Sequence, residues 1–308
     1  MVKYISLRDY CYLETDMMSL CCASCGIAEG DDIKLVPCDG CDLVRYCRDE
    51  CREYNKSEHE EACKKRAAEL RDELLFKQPE STHLGDCPIC MIPLPIELKK
   101  STIYDCCSKI ICDGCFYANK KREKEMRSQQ TCPFCRERTP KTKEERVKRM
   151  KKRVDANDPA AICKWGEEQD KEGDYIRAFE YYTKAAELGN AHAHYQLSLM
   201  YYDGEGVEKD EGKELYHLEE AAIAGHADAR YNLGCVENDN GNVERAVKHW
   251  IISATQGYDG AIKALMVAFK KGFVEKEELA FALRAHKAAE DATKSPQRDA
   301  AEEYHRNR

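Results

Sequence analysis

The chain has 308 residues, enough for two or three domains, and its 34% charged and 43% hydrophobic residues are typical of a protein that folds and stays soluble. No run approaches the roughly 18 apolar residues of a membrane span, and the opening stretch lacks the apolar core of a signal peptide. We therefore expect no membrane insertion. We expect a cytoplasmic or nuclear location, where thiols stay reduced. The net charge of −8 is uneven, with fifteen Lys and Arg against five Glu from 120 to 153 but 26 acidic against 15 basic residues from 156 to 293, which indicates a local basic surface rather than general affinity for nucleic acid.

Cysteines are concentrated in the first half of the sequence. Of nineteen cysteines, seventeen lie between Cys11 and Cys135, and only Cys163 and Cys235 follow. Because disulfides are not expected in a reducing compartment, this distribution favours metal binding. We interpret Cys163 and Cys235 as small apolar residues on helix faces.

The first cysteine-rich segment, residues 22–63, contains two CxxC pairs followed by two pairs spaced i,i+4. A two-residue gap forms a tight knuckle that brings both sulfurs to one ion, and i,i+4 spacing places two side chains on one face of a helix. Eight ligands suffice for two tetrahedral zinc sites. They are Cys22, Cys25, Cys38, Cys41, Cys47, Cys51, His59 and Cys63. The helix carrying the last pair is predicted to continue over residues 64–76, with Pro79 as its stop.

This order of pairs resembles the MYND-type zinc finger, and every ligand position of that pattern is filled. The resemblance implies two interleaved ions, one held by Cys22, Cys25, Cys47 and Cys51 and the other by Cys38, Cys41, His59 and Cys63. Zinc must supply most of the folding energy of so short a segment. The resemblance also implies binding of proline-containing peptides or partner domains, whereas the alternative is a purely structural staple.

The second cysteine-rich segment, residues 87–138, resembles a RING finger in its all-cysteine form. Its eight ligands again suffice for two ions, which makes four structural zinc ions in the chain. By the interleaving of that family, one ion is held by Cys87, Cys90, Cys112 and Cys115, and the other by Cys106, Cys107, Cys132 and Cys135. The adjacent pair Cys106-Cys107 departs from the family, in which these positions are more often separated and more often include a histidine.

The resemblance also implies a surface for a ubiquitin-conjugating enzyme. RING ubiquitin ligases use an apolar residue in the first zinc loop, a proline in the last loop and a cation just after the last ligand, and these positions carry Ile89, Pro133 and Arg136. Phe116 or Tyr117 is a candidate for lining the same groove. The alternative is that these residues pack the loops or face solvent, and that the finger only mediates contacts.

A basic connector, residues 139–155, follows the second segment. Good helix formers follow Pro140, with Val147, Met150 and Val154 as the apolar positions. The interpretation is a solvated linker helix; the alternative is a nuclear-localisation signal or a patch for an acidic partner at residues 148–153. The connector lacks the aromatic residues that stack on nucleic-acid bases, so nucleic-acid binding is not expected.

Residues 156–293 contain a repeat. Four segments align at Ala161, Ala193, Ala229 and Ala261, at intervals of 32, 36 and 32 residues, and Gly189, Gly225 and Gly257 follow the second helix of the first three units as stops. Each unit is predicted to be a helix–turn–helix in an α-solenoid. The pattern resembles the Sel-one-like repeat, a relative of the tetratricopeptide repeat, which implies a surface for partner proteins.

His192 and His194 lie within this repeat. At i,i+2 on a helix their side chains point in different directions. We therefore interpret them as packing or solvent-facing residues and not as metal ligands.

These observations predict a mainly α fold with two small cross-braced zinc-binding domains followed by an α/α solenoid of about four repeats. The expected domains are a MYND finger at 22–63, a helix and linker at 64–86, a RING finger at 87–138, a basic linker helix at 139–155, the solenoid at 156–293 and a C-terminal tail at 294–308. The leading hypothesis is a RING-type ubiquitin ligase or ligase component, a transferase whose partners are a conjugating enzyme and substrate proteins. The alternative is a non-catalytic zinc-binding scaffold, which includes a nuclear cofactor.

Overall fold

The computed structural model describes residues 21–30, 32–41 and 43–307, so the opening stretch assessed above for a signal peptide lies outside the described residues. The chain divides into two compact units, Met1–Lys77 and Gln78–Arg308. None of the described helices combines the length and apolar character needed to cross a bilayer. The predicted fold class, mainly helical with a small N-terminal zinc-binding region and C-terminal repeats, is confirmed.

The first unit contains a short hairpin and one long helix. Strand β1 (Val36–Pro37) pairs antiparallel with β2 (Arg45–Tyr46), and helix α1 spans Asp49–Leu75. The predicted helix through residues 64–76 is therefore present to within one residue of its end. Four buried residues form the small core, Cys22, Leu35, Tyr46 and Cys51, so half of this core consists of predicted metal ligands.

One local prediction in this unit was wrong. The spacing of Cys47 and Cys51 predicted that both lie on a helix, but α1 begins at Asp49 after the extended residue Arg48. Cys47 therefore precedes the helix. The chain turns at Arg48, and this turn brings the sulfur of Cys47 close to that of Cys51. Spacing alone does not distinguish a helix interior from a turn that enters a helix.

In the second unit, the second cysteine-rich segment, residues 87–138, follows residues 78–86; we call it the RING-like module after the resemblance noted above. A 3-10 turn at Leu98–Lys100 leads into β3 (Ser101–Ile103), which pairs antiparallel with β4 (Ile110–Cys112), and helix α2 spans Asp113–Glu125. Its buried core consists of Cys87, Leu94, Ile111, Cys112 and Cys115. As in the first unit, the side chains predicted to bind metal occupy most of the buried space.

The basic connector forms helix α3 (Lys143–Asp155), capped by the hydroxyl of Thr142, which accepts a hydrogen bond from Glu145 N–H. Its basic side chains are mostly exposed, as expected of a linker helix. Met150, however, is only 7% exposed and Val154 packs against the core of the first repeat. The connector is thus anchored to the solenoid along one side.

Eight antiparallel helices follow, paired as the repeat predicts. They are α4 (Pro159–Lys171), α5 (Tyr175–Glu187), α6 (Ala191–Asp203), α7 (Glu211–Ile223), α8 (Ala227–Asp239), α9 (Val243–Thr255), α10 (Asp259–Lys270) and α11 (Lys276–Ala292). Buried alanines such as Ala185, Ala221 and Ala254 allow the helices to approach closely. The predicted stops Gly189, Gly225 and Gly257 have φ of +82°, +86° and +90°, a region that favours glycine.

The C-terminal segment differs from its description as a tail. Residues 296–306 form helix α12 (Pro296–Arg306), and this helix packs on α2 of the RING-like module. The side chain of Ser295 caps it by accepting from Arg298 N–H, and Pro296 occupies the first turn. Ser-Pro is a helix-start signal that the sequence offered and that our interpretation missed.

Candidate metal centres and their surroundings

The first unit brings its eight predicted ligands into two groups, in the predicted interleaved arrangement. Within each group the ligand atoms lie within 4.8 Å of one another. One group is Cys22, Cys25, Cys47 and Cys51, and the other is Cys38, Cys41, His59 and Cys63. The knuckles sit in the loops around β1 and β2, while α1 supplies Cys51, His59 and Cys63.

The RING-like module repeats this arrangement with sulfur alone. Its groups are Cys87, Cys90, Cys112 and Cys115, and Cys106, Cys107, Cys132 and Cys135. The adjacent pair Cys106-Cys107 departs from the family pattern, but both of its sulfurs contact the same group. Cys107 Sγ lies 3.6 Å from Cys132 Sγ, and Cys106 Sγ lies 3.2 Å from Cys135 Sγ. The turn after β3 therefore allows neighbouring cysteines to face one centre.

The ligand atoms have separations that suit tetrahedral zinc. With Zn–S bonds of about 2.3 Å, two sulfurs of one tetrahedron are about 3.8 Å apart. The separations are 3.5 Å for Cys25–Cys47, 3.6 Å for Cys38–Cys63 and 3.8 Å for Cys90–Cys112. In a disulfide the two sulfurs are only about 2.05 Å apart. The donor set and the separations of its sulfurs therefore fit zinc and not a disulfide framework.

Backbone N–H groups point at several of the sulfurs. Cys115 N–H donates to Cys112 Sγ at 3.5 Å, and Phe134 N–H donates to Cys132 Sγ at 3.4 Å. These donors stabilise the thiolate form, which is the form that binds metal. Although burial opposes the effect, backbone hydrogen bonds from Cys25 and Cys47 lower the pKa of Cys22 to about 6.

Other thiols in these groups have a raised pKa. Burial, followed by the neighbouring thiols Cys38 and Cys41, raises the pKa of Cys63 to about 12. Metal-free groups of this kind hold some ligands protonated, because several thiolates at one point repel one another. Zinc binding must therefore release protons.

Around the first finger, Tyr46 fixes the position of the metal-binding helix. It is only 2% exposed, its hydroxyl donates to Asn55 on α1 at 3.0 Å, and its ring meets His59 edge-on at 6.5 Å. Burial raises the pKa of Tyr46 to about 12, so the phenol keeps its proton and remains a donor. One buried side chain thereby links β2 to the helix that carries His59.

The three residues predicted to contact a conjugating enzyme remain at the surface of the RING-like module. Ile89 is 44% exposed, Arg136 is exposed and Pro133 is partly exposed. The two candidates for lining the groove do not share this exposure. Phe116 packs against the module's core, and Tyr117 meets Tyr304 of α12 with ring centroids 4.9 Å apart.

Arg298 on α12 is a residue that sequence reasoning missed. Its guanidinium donates to the carbonyls of Pro93 at 2.8 Å and Ile92 at 3.1 Å, and it lies 3.7 Å from Cys90 Sγ. A four-cysteine zinc site carries a formal charge of −2, so a guanidinium beside it stabilises the thiolates. No sequence signal links Arg298 to Cys90, because the two are about 200 positions apart.

A second missed feature is a stack of three histidines where the segment before the RING-like module lies on the repeats. The rings of His83 and His226 stack with centroids 4.2 Å apart, and His83 N–H donates to Gly225 O at 3.1 Å. His226 Nδ1 accepts the N–H of Ala229 at 3.3 Å, so its Nε2 carries the proton and donates to His192 Nδ1 at 3.1 Å.

The nitrogens of this stack lie close enough together to suggest a metal site. A metal, however, lies in the plane of each imidazole that binds it, whereas His83 lies over the face of His226 at an interplanar angle of 16°. We therefore describe the cluster as packed neutral imidazoles. As their i,i+2 spacing predicted, His192 and His194 have different neighbours, since His194 Nδ1 lies 3.0 Å from His217 Nδ1.

Comparison with known protein families identifies two of the modules. Residues 22–63 match the MYND finger, and residues 159–190, 191–226 and 227–258 each match the Sel1 repeat. The MYND match begins at Cys22 and ends at Cys63, the first and last ligands predicted in that segment. The chain therefore carries a zinc-binding MYND finger and Sel1 repeats, both of which are protein-interaction modules.

Individual proteins are similar over parts of the chain. Chitin synthase regulatory factor 4 of Schizosaccharomyces pombe is 33% identical over 86 residues, which are 28% of this chain and 14% of that protein. A Sel1 repeat protein from Oxalobacter formigenes is 28% identical with a TM-score of 0.43, covering 49% of this chain and 66% of that one. A protective antigen of uropathogenic Escherichia coli with an SLR fold is 26% identical with a TM-score of 0.40, covering 48% of this chain and 33% of that one.

Proposed function

We propose that this protein is a zinc-dependent interaction adaptor that serves as a RING-type ubiquitin ligase or as the recruiting component of one. Its fingers would hold four structural zinc ions with the sixteen ligands grouped above. The MYND finger and the repeats would bind target proteins, with short proline-containing segments as the ligands of the finger. We place this role in the cytoplasm or nucleus, where thiols stay reduced.

The observation that carries the ligase assignment is the surface of the RING-like module. Two interleaved four-cysteine groups lie beneath loops that leave Ile89 and Arg136 exposed. An exposed apolar residue and an exposed arginine suit the proposed contact, because the planar guanidinium of arginine donates to two acceptors at once. Such a ligase would position a conjugating enzyme and its ubiquitin for attack by a substrate lysine, with zinc in a purely structural role.

An autoubiquitination assay of the full, zinc-loaded chain against a panel of conjugating enzymes tests this function. We expect activity with at least one enzyme, and a loss of about tenfold or more in Ile89→Ala and Arg136→Ala. Arg138→Ala is the matched control, since Arg138 is also an exposed arginine after the last ligand, and we expect it to retain activity. Inactivity with every enzyme, or full activity of both contact variants, would rule out the ligase assignment.

One observation favours the alternative of a non-catalytic scaffold. Helix α12 lies on α2, and Tyr304 already contacts Tyr117, one of the two groove residues that a conjugating enzyme would need. A scaffold would bind partners through its fingers and repeats without transferring ubiquitin. The name of the Schizosaccharomyces pombe relative, a regulatory factor, is compatible with either role.

A further inference from the structure

A large cleft runs through the second unit beside the repeats. Its volume is about 1160 Å³, which is above the roughly 300–1,000 Å³ of small-molecule sites. It is lined by residues of the first helices of successive repeats, α4, α6 and α8, by several residues between 78 and 100, and by residues of α12. A cleft of this size suits a segment of polypeptide better than a small molecule.

The lining of this cleft, which we call the acidic cleft, is strongly negative. Eleven Asp and Glu line it against five Lys and Arg. Four of those cations already have partners. Lys100 pairs with Glu97 and Glu302, Lys171 with Glu168 and Lys294 with Asp291, and Arg298 is bonded to the carbonyls of Pro93 and Ile92. A concave surface of one charge sign concentrates the field and attracts ligands of the opposite sign.

Asp228 marks a specific cation position within the cleft. Its side chain is 35% exposed, so a ligand can reach it. Burial raises the pKa of this carboxyl, and the nearest imidazole, His226 at 3.8 Å, does not offset that cost, because burial keeps its pKa well below the usual range and the ring neutral. A ligand cation would therefore stabilise Asp228.

Two tyrosines line the cleft together with this carboxylate. Burial, and then the negative charge of Asp228, raises the pKa of Tyr195 to about 12, and the same two causes in the same order raise the pKa of Tyr258. Aromatic faces beside a carboxylate bind an ammonium or guanidinium group through cation–π contacts and charge-assisted hydrogen bonds.

A second acidic position lies on α4. Glu167 and Asp170 are three residues apart on one helix face and both line the cleft. Glu167 is already paired with Lys164 at 2.5 Å, so Asp170 is the carboxylate of this pair that faces a ligand. Burial raises the pKa of Asp170, and the charge of Glu167 raises it further, while Lys171 partly offsets this. The rings of His192 and His226 lie between the two acidic positions, since His192 Nε2 is 3.6 Å from Glu167, His226 Nε2 is 3.1 Å from His192 Nδ1, and His226 Nδ1 is 3.8 Å from Asp228. A few residues of extended chain therefore reach from one position to the other.

We propose that the acidic cleft binds an extended segment of a partner protein rich in lysine and arginine, with one cation held by Asp228 near Tyr195 and Tyr258 and another by Asp170. This inference rests on the repeats being a protein-binding platform, and it does not depend on ligase activity. The occupant is a separate protein, because the chain's own basic run at residues 148–153 belongs to α3, which is packed on the first repeat.

Fluorescence anisotropy of the full chain tests this proposal. The probe is a short fluorescein-labelled peptide in which Arg alternates with Gly and Ser, and its counterpart carries Glu in place of Arg. We expect saturable binding of the Arg peptide only, weakening as salt is added. Asp228→Asn and Asp170→Asn should each weaken binding by about tenfold.

Asp239→Asn is the matched control, because Asp239 is an exposed aspartate at the other end of α8, and we expect it to bind like the wild type. Equal binding of the Glu peptide, an equal loss in Asp239→Asn, or no saturable binding would overturn the proposal. So would self-association in sedimentation experiments that Asp228→Asn abolishes, since the basic run of a second copy would then be the occupant. Because the assay contains no ubiquitin, it stays separate from the ligase test.

Discussion

At the scale of single residues, some positions in the repeats have no space for a larger residue. Gly234 in α8 faces Trp250 in α9, and a Cβ added there would lie 2.5 Å from Trp250 Cδ1. Glycine is usually unfavourable within a helix, so its presence here is explained by the close approach of the indole. The two helices pack against each other along this contact.

Replacing Gly234 with alanine should therefore destabilise the solenoid. The added methyl group must push the Trp250 ring aside, which we expect to cost about 1–3 kcal/mol. Thermal unfolding followed by tryptophan fluorescence measures this effect, because Trp165 and Trp250 are the two tryptophans of the chain and both lie in the repeats.

Gly212→Ala is the matched control for that variant. Gly212 is exposed in α7, and a Cβ there makes only ordinary contact, 3.4 Å from Asp210 Oδ1. Alanine is the better helix former by up to about 1 kcal/mol, so the control should be unchanged or more stable. Equal melting temperatures for Gly234→Ala and Gly212→Ala would contradict the packing argument.

At the scale of elements, local sequence patterns predicted the helices and the ligand pairs well. They did not predict the contacts between elements that are far apart in the sequence. CxxC and i,i+4 spacings predicted the pairs of ligands that lie together, although Cys47 and Cys51 meet across a turn and not on one helix face. The family resemblances implied how these pairs combine into groups. The repeat interval predicted the helix pairs and the glycine stops. The contact of α12 with α2, and of His83 with Gly225, joins segments far apart in sequence, and no local pattern encodes such contacts.

The docking of His83 on the repeats should depend on pH. Burial, and then the neighbouring His192, lowers the pKa of His83 to about 4 from an ordinary value of 6.5. The folded state favours the neutral ring, so this contribution is fully present above about pH 6.5 and is lost as pH falls toward 4. At the neighbouring His192, burial lowers the pKa and the charge of Glu167 opposes only part of that effect.

We expect the repeats to lose of the order of 1–2 kcal/mol of stability between pH 7.5 and pH 5 through these histidines. In His83→Asn the loss should be smaller, because one of the stacked rings no longer has to be kept neutral. Urea unfolding followed by tryptophan fluorescence at the two pH values gives both quantities. His305→Asn, at an exposed histidine, should keep the wild-type pH dependence; a His83→Asn variant with that same dependence would refute the docking argument.

At the scale of the whole molecule, two cysteine-rich modules with predicted metal ligands are combined with repeats that have their own helical core. The cores of both fingers consist largely of predicted ligands, whereas those of the repeats consist mainly of apolar side chains. We therefore expect chelation to unfold the fingers first and to leave most of the helical signal of the repeats. The sequence predicted this difference between the two kinds of core, because nearly all its cysteines precede the repeats.

The zinc content of native, reduced protein, measured by inductively coupled plasma mass spectrometry, tests the central claim most directly. We predict about four zinc ions per chain, fewer in Cys63→Ser and in Cys115→Ser, and an unchanged number in Cys163→Ser, whose thiol lies in the repeat core. A wild-type content well below four, or an equal loss of zinc in the Cys163→Ser control, would contradict the account.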